Sequence, residues 1–148
     1  MKNHPHTIPT LANIWHETIG EKWMPEIKIE KIEALSYEEI NQDIPFSLIA
    51  LHEEIPVGFC TLELNADIRE DLGPWIGDLV IDPKYQNQGI GKTLLKAMIE
   101  QAKELKFTKL YLFTFDLSII KYYRNLGWKK VAIEKFKTHL VTIMEIEL

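Results

Sequence analysis

The stretch from Trp75 to Leu105 limits most strongly what this chain can fold into. It opens with an apolar run over residues 75–81, turns at Asp82-Pro83, and then carries Gly89 and Gly91 in front of a helical pattern. After the glycines, apolar residues recur on one helical stripe: Leu94, Leu95, Met98, Ile99, Ala102 and Leu105. The sequence therefore predicts a buried strand, a glycine turn and an amphipathic helix in direct succession.

The glycine turn has the properties of an anion site. Gly89 and Gly91 lack a Cβ atom, so a ligand can approach the backbone closely there. The first turn of a helix carries N–H groups without intrahelical partners and the positive end of the helix dipole. Together these features favour a phosphate or pyrophosphate beside Gly89.

Two known phosphate motifs match this turn only in part. The nucleotide-hydrolase pattern G-x-x-x-x-G-K-[ST] fits Gly91-Lys92-Thr93, but its first glycine would fall on Gln86. The dinucleotide pattern G-x-G-x-x-G would need a third glycine at Leu94, and no acidic residue follows at the required distance. Nucleotide hydrolysis is therefore the runner-up chemistry for this turn.

A third pattern fits better. The spacing Gln86-x-x-Gly89-x-Gly91 after an apolar strand resembles the Q/R-x-x-G-x-G/A loop of the GNAT superfamily of N-acetyltransferases, which grips the pyrophosphate of acetyl-coenzyme A (acetyl-CoA). Downstream, Tyr122-Tyr123-x-x-x-Gly127-Trp128 looks like the F-Y-x-x-x-G-F element of the same superfamily. The two motifs stand in the expected order, and the resemblance to small bacterial members extends over nearly the whole chain.

Composition and length are those of one globular domain, here residues 1–148, because 46% of the 148 residues are hydrophobic and 26% are charged. Cys60 is the only cysteine, so no intramolecular disulfide can form. No stretch reads as a secretion signal or a membrane span, and we expect a cytoplasmic protein without a membrane partner. The net charge of −5 argues against nucleic-acid binding, and we expect a monomer or homodimer.

The order of periodic segments predicts an α+β fold. A first helix from Thr7 or Thr10 to Gly20 precedes a second from Pro25 towards Ile40, and a short helix carries Tyr122 and Tyr123. Strands are expected at 46–51, 57–64, 75–81, 109–114, 128–136 and 140–148. The third and fourth strands flank a helix and should be parallel, within a mixed, mostly antiparallel sheet of about six strands flanked by about four helices. The resemblance implies the GNAT fold with a splayed central pair, whose usual first strand is short or absent here.

The resemblance also implies which residues hold acetyl-CoA. The pyrophosphate loop comprises Gln86, Asn87, Gln88, Gly89, Ile90, Gly91, Lys92 and Thr93. The backbone of Leu79, Val80 and Ile81 would bind the pantetheine arm and the thioester oxygen. Asp116 takes the place of a pantetheine-binding asparagine, and Tyr123 matches the tyrosine that protonates the departing thiolate, while Tyr122 is expected in the core.

An amine acceptor also needs a base, and a carboxylate with a raised pKa or a water relay can supply one. We favour Asp78 in the central strand, with Glu63 on the preceding strand as second choice. Trp75 and His139 are candidates for the acceptor pocket, although core or surface placement is the better prediction for both. The histidines show no metal-ligand spacing, so no metal site is expected.

The predicted function is transfer of an acetyl group from acetyl-CoA to a primary amine, directly in a ternary complex. A small-molecule amine is favoured. A peptide or protein α-amine is the first alternative, and an acyl-CoA-binding sensor without turnover is the non-enzymatic one.

Overall fold

The computed structural model describes residues 4–39 and 44–148. Its α-helices are α1 (Ile8–Trp15), α2 (Glu21–Trp23), α3 (Ile29–Glu39), α4 (Ile90–Glu104) and α5 (Ile120–Asn125). Its strands are β1 (Phe46–His52), β2 (Ile55–Glu63), β3 (Trp75–Ile81), β4 (Lys109–Thr114), β5 (Lys129–Phe136) and β6 (His139–Glu147). The predicted helix end at Ile40 lies outside the described residues.

The described strands form one six-stranded mixed sheet in the order β1-β2-β3-β4-β6-β5. The pairs β1/β2, β4/β6 and β5/β6 are antiparallel. β3 runs parallel to β4, with Trp75 opposite Tyr111, and the Tyr111 N–H donates to the Pro74 carbonyl at 3.0 Å. The prediction of a mixed sheet with a central parallel pair is therefore confirmed.

The chain forms two compact units. The first comprises Met1–Leu62 and Asp78–Met98, and its core includes Leu11, Ile14, Trp15, Phe59 and Val80. The second comprises Glu63–Gly77 and Ile99–Leu148, with Trp75, Tyr111 and Ile143 at its core. The assignment of residues 1–148 to a single domain stays a prediction.

The amphipathic helix lies where its apolar stripe predicts. α4 begins at Ile90, directly after Gly89, and its buried residues are Leu94, Leu95, Met98 and Ala102. Ile99 is half-buried, and Leu105, at the C-terminal end of the stripe, is 45% exposed. Burial of this stripe supplies most of the stabilisation of such a helix.

The prediction that Gly20 ends the first helix is wrong. The chain continues from α1 through a π-helical turn at His16–Gly20 into α2, and Gly20 itself has helical angles of φ −60° and ψ −56°. A Cβ atom on Gly20 would lie 2.9 Å from Cζ3 of Trp15. The glycine therefore makes room for an indole ring within the helix, where its sequence position suggested a stop.

The first helix begins after Thr7 as predicted but without the predicted side-chain cap, and the second begins later than predicted. Thr7 stands at the N-cap of α1, but its hydroxyl donates to the His4 carbonyl at 2.6 Å and makes no capping bond. The second predicted helix, α3, begins at Ile29 rather than near Pro25. A turn closed by the Ile27 N–H and the Met24 carbonyl, at 3.1 Å, occupies the intervening residues.

Candidate active site

The turn between β3 and α4 is built by local hydrogen bonds. Asp82 caps the 3-10 turn Pro83–Tyr85 by accepting from the Lys84 N–H at 3.0 Å. The Gln86 amide then donates from Nε2 to the Ile81 carbonyl at 3.2 Å, which ties the loop back to the end of β3. The Gln86 side chain thus shapes the loop.

The corner of this loop is open. Asn87 has φ +64° and Gly89 has φ +83°, both in the left-handed region. A Cβ atom built on Gly89 would have no heavy atom of the described residues within 4 Å. The backbone there is accessible to a ligand, as the predicted anion site requires.

The first turn of α4 complements an anion electrostatically. It contains no acidic residue, and Lys92 is exposed. The Thr93 N–H and hydroxyl both donate to the Gly89 carbonyl, at 3.1 and 3.0 Å, whereas the N–H groups of residues 90–92 precede the first available helix carbonyl. Unpaired N–H groups, the helix dipole and a lysine therefore coincide beside an open glycine.

β3 is irregular just before this loop. Asp78 has φ +53° within the strand, an uncommon conformation for a residue with a side chain. Leu79 and Ile81 are half-buried, and Val80 is buried in the core of the first unit. A Cβ atom on Gly58 of β2 would lie 2.7 Å from the Val80 carbonyl oxygen, so β2 backbone lies unusually close to this part of β3.

The Asp78 carboxylate accepts a hydrogen bond at Oδ1 from the indole Nε1 of Trp15, at 3.0 Å. The residue is exposed to solvent in part, and desolvation of its carboxyl raises the pKa of that group, while the Trp15 bond opposes the rise. Cys60 is fully buried, and desolvation followed by the Asp78 charge raises the pKa of its thiol to about 12. Asp78 therefore has the elevated basicity that a proton acceptor needs, and Cys60 stays a protonated apolar residue.

Glu63, the second candidate base, lies at the end of β2. A Cβ atom on Gly77 would be 2.5 Å from Glu63 Oε1, so the carboxylate occupies the space that any other side chain at position 77 would fill. Sequence reasoning gave Gly77 no role, although a glycine inside an apolar strand is a known indication of a close approach.

Trp75 and His139 differ in their surroundings. Trp75 is fully buried, and its indole Nε1 donates to the Leu72 carbonyl at 3.0 Å. His139 is half-buried, and its ring lies 5.6 Å from that of Phe115. Phe115 is in turn 5.8 Å from Phe113 and 6.0 Å from Phe136. These four half-buried rings, at positions 113, 115, 136 and 139, are called the aromatic group below.

Tyr123 is held firmly at the end of α5. The Trp128 N–H donates to its carbonyl at 3.1 Å and the Gly127 N–H to that of Arg124 at 3.0 Å, with Gly127 at φ +99°. This is a Schellman ending, which fixes the turn after the helix. Tyr123 is 6% exposed.

The exposure of Tyr122, the residue before Tyr123, contradicts the sequence prediction. Tyr122, expected in the core, is 42% exposed. Because successive residues on a helix point about 100° apart, only one of two adjacent tyrosines on so short a helix faces the core.

Asp116 acts as a cap in the structure. Its Oδ1 accepts from the Ser118 N–H at 2.9 Å and from the Ser118 hydroxyl at 2.6 Å, which begins the turn that leads into α5. Within the described residues there is no metal-binding cluster of histidine, cysteine or carboxylates. Likewise, none of the described helices has both the length and the apolar character to cross a membrane.

Comparison with known proteins now decides the family. The model of the Acetyltransferase (GNAT) family matches residues 8–128, which include both glycine motifs and the candidate bases. The chain belongs to this GNAT family. Its membership accounts for the glycine loop before α4 and for the mixed sheet with a parallel central pair.

Relatives are similar over part or all of the chain. The spermine/spermidine N(1)-acetyltransferase of Bacillus subtilis is 32% identical over 96 residues, which are 61% of this chain and 63% of that protein. The chain spans between 21% and 63% of the length of the first curated relatives it matches.

Solved structures share the fold. Ribosomal-protein-alanine N-acetyltransferase from Brucella melitensis superposes with a TM-score of 0.77 at 19% identity, covering 100% of this chain and 96% of that one. An aminoglycoside 6'-N-acetyltransferase complexed with coenzyme A also gives 0.77, at 16% identity, with coverages of 98% and 92%. The predicted GNAT fold is thereby confirmed.

Proposed function

We propose that this protein is an acetyl-CoA-dependent N-acetyltransferase that acetylates a small-molecule primary amine by direct transfer in a ternary complex. The observation that carries the proposal is the open corner at Gly89. There α4 begins beside a glycine whose added Cβ atom would meet no heavy atom of the described residues within 4 Å, and Lys92 in the first turn is exposed. This arrangement fits the pyrophosphate of coenzyme A.

We assign each step of the acetyl transfer to particular residues of the chain. Residues 86–93 hold the pyrophosphate, and Asp116 and the backbone of residues 79–81 bind the pantetheine arm. A backbone N–H of residues 79–81 donates to the thioester oxygen as negative charge develops there. Asp78 takes a proton from the acceptor ammonium, and the nitrogen lone pair then attacks the thioester carbon. Tyr123 donates its phenolic proton to the thiolate as the carbon–sulfur bond breaks, and the second proton that the nitrogen loses on becoming an amide returns to the tyrosinate through water. Glu63 is the second candidate for the base.

Three features favour a cationic small molecule as acceptor. The relative that shares 32% identity is named a spermine/spermidine acetyltransferase. The chain carries a net charge of −5, which suits a cationic partner. The third feature is local to the second unit.

Glu63 and the aromatic group occupy one face of the sheet. Residues two apart in a strand point to the same face, so Glu63, packed on Gly77, lies on the face that carries the ring of Trp75. The Trp75 ring is 6.1 Å from that of Phe113, a member of the aromatic group. A carboxylate and aromatic rings on the same face of the sheet are groups that attract an alkylammonium ion.

Release of free thiol from acetyl-CoA tests the proposal. We expect turnover with spermidine or another alkyl polyamine and little with a peptide that begins with alanine. Faster turnover of the peptide would favour the α-amine alternative. Calorimetric binding of acetyl-CoA without amine-dependent thiol release over a broad panel would favour the sensor.

The nucleotide-hydrolase alternative is weaker in the structure than in the sequence. Thr93, whose hydroxyl would bind the magnesium of a nucleotide, donates that hydroxyl to the Gly89 carbonyl at 3.0 Å. Family membership also points to acetyl transfer.

A further inference from the structure

Trp15 connects α1 to the candidate base across 63 residues of sequence. Its indole is 2% exposed and packs with Leu11, Ile14, Phe59 and Val80. Its one polar atom, Nε1, donates to Asp78 Oδ1 at 3.0 Å. A buried indole N–H that meets a carboxylate at this distance has a defined direction, because the surrounding core fixes the ring.

The π-helical turn after Trp15 places Gly20 against the indole ring. In a π-helix residues five apart come into register, and Gly20 is the fifth residue after Trp15. A Cβ atom on Gly20 would lie 2.9 Å from Trp15 Cζ3 and 3.2 Å from His16 Nδ1. Glycine at this position is therefore a packing requirement of the indole.

Asp78, the partner of Trp15, is oriented by its own backbone conformation. Asp78 adopts φ +53° within β3, and this conformation turns its side chain away from the alternation of a regular strand. The Trp15 indole donates to its carboxylate, and the Cys60 thiol of β2 is near enough for the carboxylate charge to raise the thiol pKa. The thiol stays protonated at neutral pH and adds no charge, so Trp15 makes the specific polar contact to Asp78.

We propose that Trp15 is a positioning residue for Asp78 and that Gly20 keeps the indole in place for this purpose. The inference rests on the proposed function, in which Asp78 is the base. With Oδ1 held by the indole, Oδ2 accepts the proton: an N–H bond of the acceptor ammonium breaks, an O–H bond forms on Asp78, and the electron pair stays on nitrogen for attack on the thioester. The proton later passes from Asp78 to water.

Trp15→Phe removes the donor and keeps an aromatic ring. Because the indole bond stabilises the ionised carboxylate, its loss raises the pKa of Asp78 further. The acidic limb of the kcat/KM profile should move up by about one pH unit, equivalent to about a tenfold loss of kcat/KM on that limb. The KM for acetyl-CoA should not change.

Trp128→Phe is the matched control. Trp128 is also 2% exposed, but within the described residues its Nε1 has no hydrogen-bond partner. Both substitutions remove the same atoms from a buried position, so both should lower the melting temperature. Only Trp15→Phe should move the acidic limb. A second variant, Gly20→Ala, displaces the indole without removing it and should move the limb in the same direction.

A double variant completes the test. In an Asp78→Asn background the added Trp15→Phe change should have no further effect on kcat, because the carboxylate through which Trp15 acts is gone. An unmoved acidic limb in Trp15→Phe, with amine acetylation intact, would overturn this inference alone. Tight coenzyme binding with no amine acetylated by the unaltered protein would overturn the proposed function and this inference with it.

Discussion

The two adjacent tyrosines of α5 show how environment separates residues of the same type. Tyr123 is 6% exposed and belongs to the Schellman turn that ends the helix, whereas Tyr122 is 42% exposed. Their rings lie 5.5 Å apart. The helix ending fixes the backbone that carries Tyr123, and its ring is buried while that of Tyr122 is exposed, so we propose the acid role for Tyr123.

Replacing Tyr123 by phenylalanine should therefore lower kcat by about a hundredfold or more, because it removes a general acid. The KM for acetyl-CoA should stay the same, since the hydroxyl meets the thiolate only as it forms. Steady-state thiol release measures both constants. Tyr122→Phe is the control and should leave both constants near their original values. Equal loss of coenzyme binding and turnover in Tyr123→Phe would remove the acid role.

The ionised Asp78 carboxylate should lower the free energy of unfolding at neutral pH. Its pKa is raised in the folded state, chiefly by desolvation, so ionisation opposes folding once the pH exceeds the pKa of the unfolded carboxyl, about 3.9. Asp78→Asn should be more stable than the original at pH 7, and the difference should shrink as the pH falls from the raised folded pKa towards 3.9 and be absent below it. Denaturant unfolding at pH 7 and pH 3 measures it.

The control for Asp78→Asn is a carboxylate with the opposite shift. The Arg69 guanidinium bonded to Asp71 lowers the pKa of that carboxyl, so its charge favours folding. Asp71→Asn should therefore lose a small amount of stability at pH 7, where Asp78→Asn gains. The same direction of change in both variants would contradict the desolvation of Asp78.

At the scale of elements, the junction of β3 and α4 combines two requirements in a few residues. The loop must reverse the chain, which the bonds of Asp82 and Gln86 achieve, and it must leave the start of α4 accessible, which Gly89 achieves. Other turns could also reverse the chain direction between β3 and α4. Accessibility depends on the absence of a Cβ atom at one position.

Gly89→Ala should weaken coenzyme binding by about tenfold or more, the effect of losing one charge-assisted hydrogen bond. The new methyl group would meet no heavy atom of residues 4–39 or 44–148 beyond its chain neighbours within 4 Å, so it would project into the space proposed for the ligand. Calorimetric titration with coenzyme A gives the affinity.

Gly127→Ala is the matched control because Gly127 also has a positive φ, +99°. Both variants pay the cost of placing alanine in the left-handed region, about 1 kcal/mol of stability. If both lost coenzyme affinity to the same extent, the effect would be one of stability and not of access to the glycine corner.

For the whole molecule, coenzyme binding and folding are linked. A ligand that binds only the folded protein raises the free energy of unfolding by about 2.7 kcal/mol when its concentration is one hundred times its Kd. The proposed pyrophosphate loop has its hydrogen-bonded form only in the folded chain, where Asp82 and Gln86 close the turn. Binding should therefore stabilise the protein as a whole.

Acetyl-CoA at one hundred times its Kd should raise the melting temperature by about 5–10 °C. Adenosine triphosphate at the same concentration should raise it by much less, since it lacks the pantetheine arm that the β3 backbone is proposed to bind. Differential scanning fluorimetry with both ligands makes the comparison. Greater stabilisation by adenosine triphosphate would favour the nucleotide-hydrolase alternative.

The sequence by itself determined the elements next to the glycine loop. The bounds of β3 and β4 agree with the predicted 75–81 and 109–114, and α4 begins within its predicted first turn. These segments carry their own signals, namely apolar periodicity, the Asp-Pro turn and the glycines, so local physics is sufficient to place them. The family resemblance followed from motifs of the same local kind.

Only the tertiary structure decided how distant side chains meet. The bond from Trp15 to Asp78 and the packing of Trp15 against Gly20 have no signal in the sequence. Gly77 signals a close approach within its strand, but the sequence does not identify Glu63 as the group that makes it. Each depends on packing between segments separated along the chain or on a π-turn that adds a residue to a helix. Core packing overrides local propensity at these positions, because burying an indole contributes more free energy than a helix-ending glycine.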